Sequence, residues 1–211
     1  MPFALPSAST LLARLLVLLV GMPVHEWAHA WSAYQMGDDT ASLQGRLSLN
    51  PLAHLDPIGS ILILLTGFGW ARPVPVNPNQ MQLNPRTGMA ISSFAGPASN
   101  FLIAMLCAVP FRLGLLSLNS IDVIGGSFNL ATILWMSAQV SLGLALFNLL
   151  PVYPLDGEKV LVGLLPREWG DRLLALRPFG PYILMGVMFL GIANLLIGLV
   201  WSPLLRLLFL W

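Results

Sequence analysis

The chain has 211 residues, of which 56% are hydrophobic and 9% are charged, and its formal net charge at pH 7 is +1. A soluble globular domain carries about 25% charged residues, so this chain cannot cover a water-exposed surface, and we predict a polytopic membrane protein. The small net charge and the absence of a basic cluster argue against a nucleic-acid partner. We expect a single membrane-embedded domain over residues 1–211.

Four stretches contain the roughly 20 mostly apolar residues that a membrane-spanning helix needs. They are Leu11–Tyr34, Met89–Phe111, Phe128–Leu150 and a fourth from about Pro181 to Trp201, inside a C-terminal membrane segment at about residues 179–211. These spans predict an all-α protein. The first of them does not resemble a cleaved signal peptide, because no small-residue cleavage site follows it.

The first span contains the sequence "HEWAH", which begins at His25 and ends at His29. Positions i and i+4 of a helix share a face, so both imidazoles can reach one ion beside Glu26. This is the H-E-x-x-H zinc pattern, in which the glutamate is the general base. Unpaired polar groups are costly in an apolar helix, which favours a zinc site. Nearby, Pro23 removes a helix hydrogen bond and either kinks the helix or is simply tolerated.

A catalytic zinc usually has three protein ligands and one open position, so a third ligand must come from elsewhere. The candidates are His54, Asp56, Asp122 and Asp156. Asp156 follows a predicted span in "NLLPVYPLDG", where prolines and Gly157 place it on irregular backbone. Aspartate is also a preferred helix N-cap, and a short helix is predicted at Lys159–Leu165. The residues alone support the ligand and the cap equally.

The apolar stretch Ile58–Trp70 is too short for an ordinary span and is typical of a re-entrant or interfacial segment. The sequence "ARPVPVNP" follows, and its prolines predict extended backbone. Such a segment either offers backbone groups to a substrate strand or forms a surface turn. The positive-inside rule gives seven cationic residues against three whether Ile58–Trp70 re-enters or spans, so charge does not decide its topology.

The motifs "HEWAH", "FAGPASNFLIA" and "NLLPVYPLDG" occur in this order, together with "GRLSLNPLAHLDPIGS" and "GWARPVPVNP". With them the chain resembles the site-2 proteases, the intramembrane zinc metalloproteases of peptidase family M50, in a compact bacterial branch without PDZ or CBS domains. The resemblance implies a three-helix catalytic core at about residues 11–165, with Ile58–Trp70 re-entrant. It also implies one Zn²⁺ held by His25, His29 and Asp156, with Glu26 as the catalytic base.

The resemblance further implies that Asn148 contacts the substrate backbone or the oxyanion, and Asn100 is a candidate for supporting the site by hydrogen bonding. The implied substrate is a transmembrane protein or peptide, cleaved by regulated intramembrane proteolysis. The implied location is the bacterial cell membrane, with a multi-pass chain and an active site nearer the cytoplasm. Two alternatives are an intramembrane zinc transporter, which needs polar residues along a path, and a non-catalytic membrane scaffold.

Overall fold

The structure, a computed structural model, describes residues 7–66, 69–122 and 129–209. These ranges are mainly helical, and their strand-like pairing is one isolated antiparallel bridge between Leu55 and Ala71. The helices are α1 (Ala8–Leu16), α2 (Met22–Gln35), α3 (Thr40–Leu43), α4 (Pro51–His54), α5 (Pro57–Thr66), α6 (Pro85–Arg112), α7 (Leu130–Asn148), α8 (Asp156–Leu164), α9 (Arg167–Ala175), α10 (Gly180–Phe189) and α11 (Ile192–Phe209).

Four of the described helical stretches are long and apolar enough to cross a membrane, which confirms an all-α polytopic membrane protein. They are Ala8–Gln35, Pro85–Arg112, Leu130–Asn148 and Ile192–Phe209. The first three match the predicted spans with ends shifted by a few residues, although the predicted start of the third, Phe128, lies outside the described residues. Residues 210 and 211 of the predicted C-terminal segment also lie outside them.

The fourth span was predicted as one continuous helix from Pro181, and this prediction is wrong. Helix α10 ends at Phe189, and Gly191 has a φ of +72° before α11 begins. Glycine adopts this left-handed conformation without the steric cost that a side chain brings, and it commonly ends helices in this way. The C-terminal membrane segment is therefore two helices joined by a tight turn.

Helices α1 and α2 are joined by one wider, π-type turn at Val17–Gly21. Within it, the Met22 N–H donates to the Val17 carbonyl, five residues back. Pro23 follows directly and has no N–H to donate. A π-type turn holds one extra residue, which rotates the following side chains by about 100°. The span therefore continues past Pro23, and the turn sets the direction in which the histidines of α2 point.

The first span packs with α6 and α7 as a three-helix core, in which α2 contacts α6 and α1 contacts α7. Helices α2 and α6 are antiparallel, because His29 meets Ser92 while His25 meets Asn100. Small side chains line the contact between α6 and α7, where Ala104 and Ala108 meet Ala131 and Ala138 around Leu142. Small residues let helix backbones approach closely in a membrane protein. The close approach of α6 to α2 gives the histidine-bearing face of α2 a wall of backbone and small side chains.

The stretch Ile58–Trp70, which is predicted to re-enter the membrane, contains most of α5. The ten residues of α5 are about 15 Å long, which is half the thickness of the roughly 30 Å hydrocarbon core. The chain then returns to its starting point, because Ala71 pairs with Leu55. A Cβ at Gly59, in the first turn of α5, would overlap the Trp70 carbonyl. The chain thus enters and returns at one end of α5, as a re-entrant segment does. Residues 72–77 follow without helix or strand.

Candidate metal centre

Three potential ligand atoms from α2 and α8 meet at one point. The Nε2 atoms of His25 and His29 lie 3.0 Å apart, and Asp156 Oδ2 lies 3.4 Å from the first and 3.2 Å from the second. All three residues are 8% exposed. Among the described residues, this is the cluster of histidine, cysteine and acidic side chains that could hold a metal ion.

The spacing of these atoms fits zinc. Ligand atoms placed tetrahedrally at about 2.05 Å from a zinc ion are about 3.3 Å apart, and the three observed separations are 3.0, 3.2 and 3.4 Å. Two imidazoles and one carboxylate form the kind of donor set that catalytic zinc sites use, with a fourth position left for water. The residues present therefore suit Zn²⁺.

The remaining ring nitrogens of the two histidines also have suitable surroundings. His29 Nδ1 donates to the Ser92 carbonyl at 2.7 Å, which leaves Nε2 without a proton. His25 Nδ1 lies 3.1 Å from the Asn100 side-chain nitrogen, while Asn100 Oδ1 is buried with no partner among the described residues. Exchanging the two amide atoms by a half-turn lets Oδ1 accept from His25 Nδ1–H. Outer hydrogen bonds of this kind orient metal-binding histidines.

Gly96 of α6 is the close wall of this cluster. A Cβ at Gly96 would lie 2.7 Å from His25 Cε1 and closer still to Cε1 and Nε2 of His29. Carbon atoms in contact are normally about 3.5–4.0 Å apart, so glycine alone leaves room for both rings. The packing partner of Gly96 is therefore the pair of imidazoles.

Asp156 is the first residue of α8, so the prediction of irregular backbone at this position is wrong. The helix N-cap is Leu155, and no side chain caps the helix, so Asp156 is not the cap residue either. Its carboxylate faces the histidines. Burial raises the pKa of the Asp156 carboxyl, and its contacts with the imidazoles of His25 and His29 outweigh burial and hold that pKa well below its usual range. The carboxylate is therefore ionised, as a metal ligand must be.

Two cations fix the first turn of α8. Lys159 Nζ lies 3.3 Å from Asp156 Oδ1, the oxygen that faces away from the histidines. Glu158 is 1% exposed and accepts two hydrogen bonds from Arg177, at 2.8 and 3.0 Å. A bidentate pair of this type is strong and geometrically specific. Arg177 lies between α9 and α10, so the C-terminal part of the chain helps to hold the turn that carries Asp156.

Glu26 lies beside the cluster and is held by the proline-rich segment, the "ARPVPVNP" stretch at residues 71–78. Its Oε2 accepts a hydrogen bond from the backbone N–H of Val74 at 2.9 Å. Both ends of this segment are anchored. At its start, buried Arg46 donates to the Arg72 carbonyl at 2.6 Å. At its end, the Asn77 N–H donates to Oδ2 of Asp38 at 2.6 Å. The "ARPVPVNP" stretch therefore covers the site and orients its acid.

The other candidate ligands lie elsewhere. His54 is fully buried and its Nε2 bonds to a backbone carbonyl at 2.6 Å. Asp56 accepts from the Gly59 N–H at 2.8 Å and so caps α5. Asp122 precedes α7, outside the cluster. Of the four sequence candidates, the structure brings only Asp156 to the histidines.

The cluster opens into a cavity of about 1200 Å³. Its walls come from α1 and α2, the proline-rich segment, α7, and the two C-terminal helices. Asn148 lies on this wall, and its side-chain nitrogen donates to the Leu144 carbonyl at 3.0 Å. An amide nitrogen has two hydrogens, so the second is still available to a molecule in the cavity.

Sequence reasoning missed several residues that shape this site. Two of them, Val74 and Ser92, act through backbone groups. The third, Arg177, acts through a partner 19 residues away in sequence. No local sequence motif predicts contacts of either kind. Glu158 carried a signal, because an acid that follows "LDG" next to a buried turn needs a partner. The identity of that partner was not readable from the sequence.

Comparison with known proteins points in one direction. The chain is 42% identical over 175 residues to "Putative zinc metalloprotease YwhC" of Bacillus subtilis, covering 82% of this chain and 78% of that protein. It is 30% identical over 186 residues to "Putative zinc metalloprotease Rip2" of Mycobacterium tuberculosis H37Rv, covering 85% of this chain and 66% of that protein. No protein-family model matches the chain. No solved structure matches it.

Proposed function

The chain belongs to the site-2 protease family of zinc metalloproteases, and we propose that it hydrolyses peptide bonds in or near transmembrane segments. In this proposal residues 1–211 form one protease domain, and His25, His29 and Asp156 hold the zinc. The observation that carries it is the meeting of three buried ligand atoms from α2 and α8 beside Glu26, in the wall of a cavity of about 1200 Å³. A structural site would be closed, whereas a catalytic one keeps an open position.

Glu26 is the proposed general base. When bound, Zn²⁺ polarises the scissile carbonyl and lowers the pKa of the attacking water. The Val74 N–H holds Oε2 of Glu26, which leaves Oε1 to take the proton from the water. The same carboxyl then donates that proton to the leaving amine. Catalysis of this kind contributes about 100-fold to 10,000-fold to the rate.

Asn148 is the proposed oxyanion donor. One of its amide hydrogens is used by the Leu144 carbonyl, and this bond fixes the side chain on the cavity wall. The second hydrogen can donate to the negative oxygen of the tetrahedral intermediate. Donors fixed in advance in this way stabilise charge that develops in the transition state.

The proposed substrate is a single membrane-spanning segment that has unwound locally. A helix engages its own backbone amides and carbonyls, so its peptide bonds must leave the helix before attack. The apolar cavity walls suit such a segment in a lipid bilayer. We further propose the cell membrane of a bacterium and regulated intramembrane proteolysis as the setting.

The charge distribution supports an active site near the cytoplasm. Cytoplasmic loops carry an excess of lysine and arginine. The cationic residues in the loops, in the short helices and in the first turn of α6, around the metal centre and the proline-rich segment, are Arg46, Arg72, Arg86, Lys159, Arg167, Arg172 and Arg177. The other three cations are Arg14 in α1, Arg112 at the C-terminal end of α6 and Arg206 in the last turn of α11, and they lie toward the ends of their spans that are farther from the metal centre.

The test compares wild type with Glu26→Gln in proteoliposomes that contain a single-span peptide. We expect both proteins to bind one zinc ion by elemental analysis, and Glu26→Gln to cleave at least about 100-fold more slowly. Glu168→Gln on exposed α9 is the matched control and should cleave normally. Equal cleavage by Glu26→Gln would exclude it as the base. Zinc flux without cleavage would indicate a transporter, and wild type without zinc would indicate a scaffold.

A further inference from the structure

Asn194 is the only polar residue from Ile192 to Val200 in α11, and α11 is apolar and long enough to cross a membrane. Its side chain lines the active-site cavity, and no hydrogen bond joins it to any of the described residues. An amide without a partner is costly in an apolar environment. A cavity that admits a peptide substrate would supply the partner.

The packing of α11 against α7 sets the depth of Asn194. The rings of Phe209 and Trp135 lie 4.6 Å apart, and a Cβ at Gly143 would lie 3.7 Å from the Trp201 ring. From the first contact to the second, α7 advances eight residues, from Trp135 to Gly143, while α11 goes back eight residues, from Phe209 to Trp201. The two helices are therefore antiparallel.

The same register can be continued toward the metal centre. Asn194 lies seven residues before Trp201, level with a point seven residues after Gly143, at Leu150. A separate contact agrees, because Ala193 packs in one cluster with Leu150 and Leu155. Asn194 therefore lies at the depth of the segment that leads into Asp156, close to the level of Asn148.

The direction of the side chain is also defined. Asn194 and Trp201 are seven residues apart, so they share one face of α11, and both line the cavity. The neighbouring Leu195 and Leu199 are 66% and 67% exposed and do not line it. Asn194 is exposed as well, but it lines the cavity together with Trp201 whereas the two leucines do not, so its exposed amide lies on the cavity side of α11.

We propose that Asn194 is a substrate-binding residue whose amide pairs with the backbone of the unwound substrate segment. An asparagine side chain offers a donor and an acceptor, which match the carbonyl and N–H of a peptide unit that has left its helix. This inference rests on the proposed proteolysis. It adds the C-terminal helix pair, which lies outside the three-helix core, to the substrate site.

Photo-crosslinking tests the contact directly in the full-length Glu26→Gln protein. Benzoylphenylalanine is placed at position 194 or at position 195, and a single-span peptide with a central Asn-Gly pair is the probe. We expect a covalent adduct from position 194 and little from position 195. Equal adducts from both positions, or none from 194, would overturn the proposal.

Kinetics test the hydrogen bond with Glu26 in place. We expect Asn194→Leu to raise KM for the same peptide by about 2-fold to 10-fold, with unchanged zinc content and a kcat within about 2-fold of wild type. Asn194→Gln should recover part of the loss, and Leu195→Ala is the control without effect. An unchanged KM in Asn194→Leu contradicts the inference. If wild type cleaves no membrane peptide, the proposed function itself fails, which is a different result.

Discussion

Gly96→Ala is the most informative single substitution at the metal centre. The added methyl would lie 2.7 Å from His25 Cε1 and nearer to the His29 ring, whereas carbon atoms in contact normally lie about 3.5–4.0 Å apart. Relief therefore needs a movement of about 1 Å by α6 or by the imidazoles. Zinc–ligand distances vary by only about 0.2 Å, so after such a movement the three ligand atoms could no longer bind one ion.

The two consequences of this substitution differ in size. Overpacking costs about 1–3 kcal/mol, and replacing a helical glycine by alanine returns about 1 kcal/mol, so the fold should survive. Removing even an outer partner of a zinc ligand costs about 10-fold to 100-fold in affinity. Because the methyl meets the ligand rings themselves, we expect a loss of about 100-fold or more.

The assay is zinc affinity by competition with a chelator, measured beside thermal unfolding. Gly198→Ala on α11 is the matched control, because a Cβ there meets nothing within 4 Å, and it should bind zinc as wild type does. Wild-type zinc affinity in Gly96→Ala would refute the argument that α6 sets the space for the two imidazoles.

Three further predictions concern the surroundings of the site. Arg177→Met removes the cation that pairs with Glu158, which is 1% exposed. Because the Arg177 side chain is 41% exposed, we expect the free energy of unfolding to fall by about 1–2 kcal/mol, less than for a fully buried pair. Chemical denaturation measures this fall for Arg177→Met, for Glu158→Gln and for the double variant; a double variant as stable as the singles confirms their coupling, and additive losses would contradict it. Val74→Pro deletes the N–H that holds Glu26 and should slow peptide cleavage about 10-fold. The control Val76→Pro should cleave at the wild-type rate. Equal rates for the two variants would contradict the role of the Val74 N–H in orienting Glu26. Removing zinc with a chelator should abolish cleavage and lower the thermal midpoint, and added Zn²⁺ should restore both; a midpoint insensitive to zinc would argue against a site in the folded core.

Much of the fold was readable from the sequence, because spanning helices are specified by uninterrupted apolar length. The first three predicted spans required only small shifts at their ends. The break at Gly191 was not predictable, since glycine is frequent inside membrane helices and only its backbone conformation distinguishes a turn from a continuous span. The π-type turn before Pro23 has a similar origin, because a proline signals a missing donor but not how the helix adapts to it.

The candidate site was readable only in part. Helical spacing places His25 and His29 on one face, whereas the choice of Asp156 from four candidates came from resemblance to a family, and the structure supplies the 3.2 and 3.4 Å distances behind it. The Val74 N–H on Glu26 could not be foreseen, because a backbone donor carries no side-chain signature. Contacts between residues far apart in sequence account for most of what was missed.

The most direct test of the central claim is the position of the cut. Zinc-loaded wild-type protein is reconstituted in vesicles with a single-span peptide, and the products are identified by mass spectrometry. We predict cleavage at a peptide bond within or at the edge of the apolar span, dependent on zinc. Cleavage confined to the water-exposed flanks, or an intact peptide with zinc bound, would contradict intramembrane proteolysis.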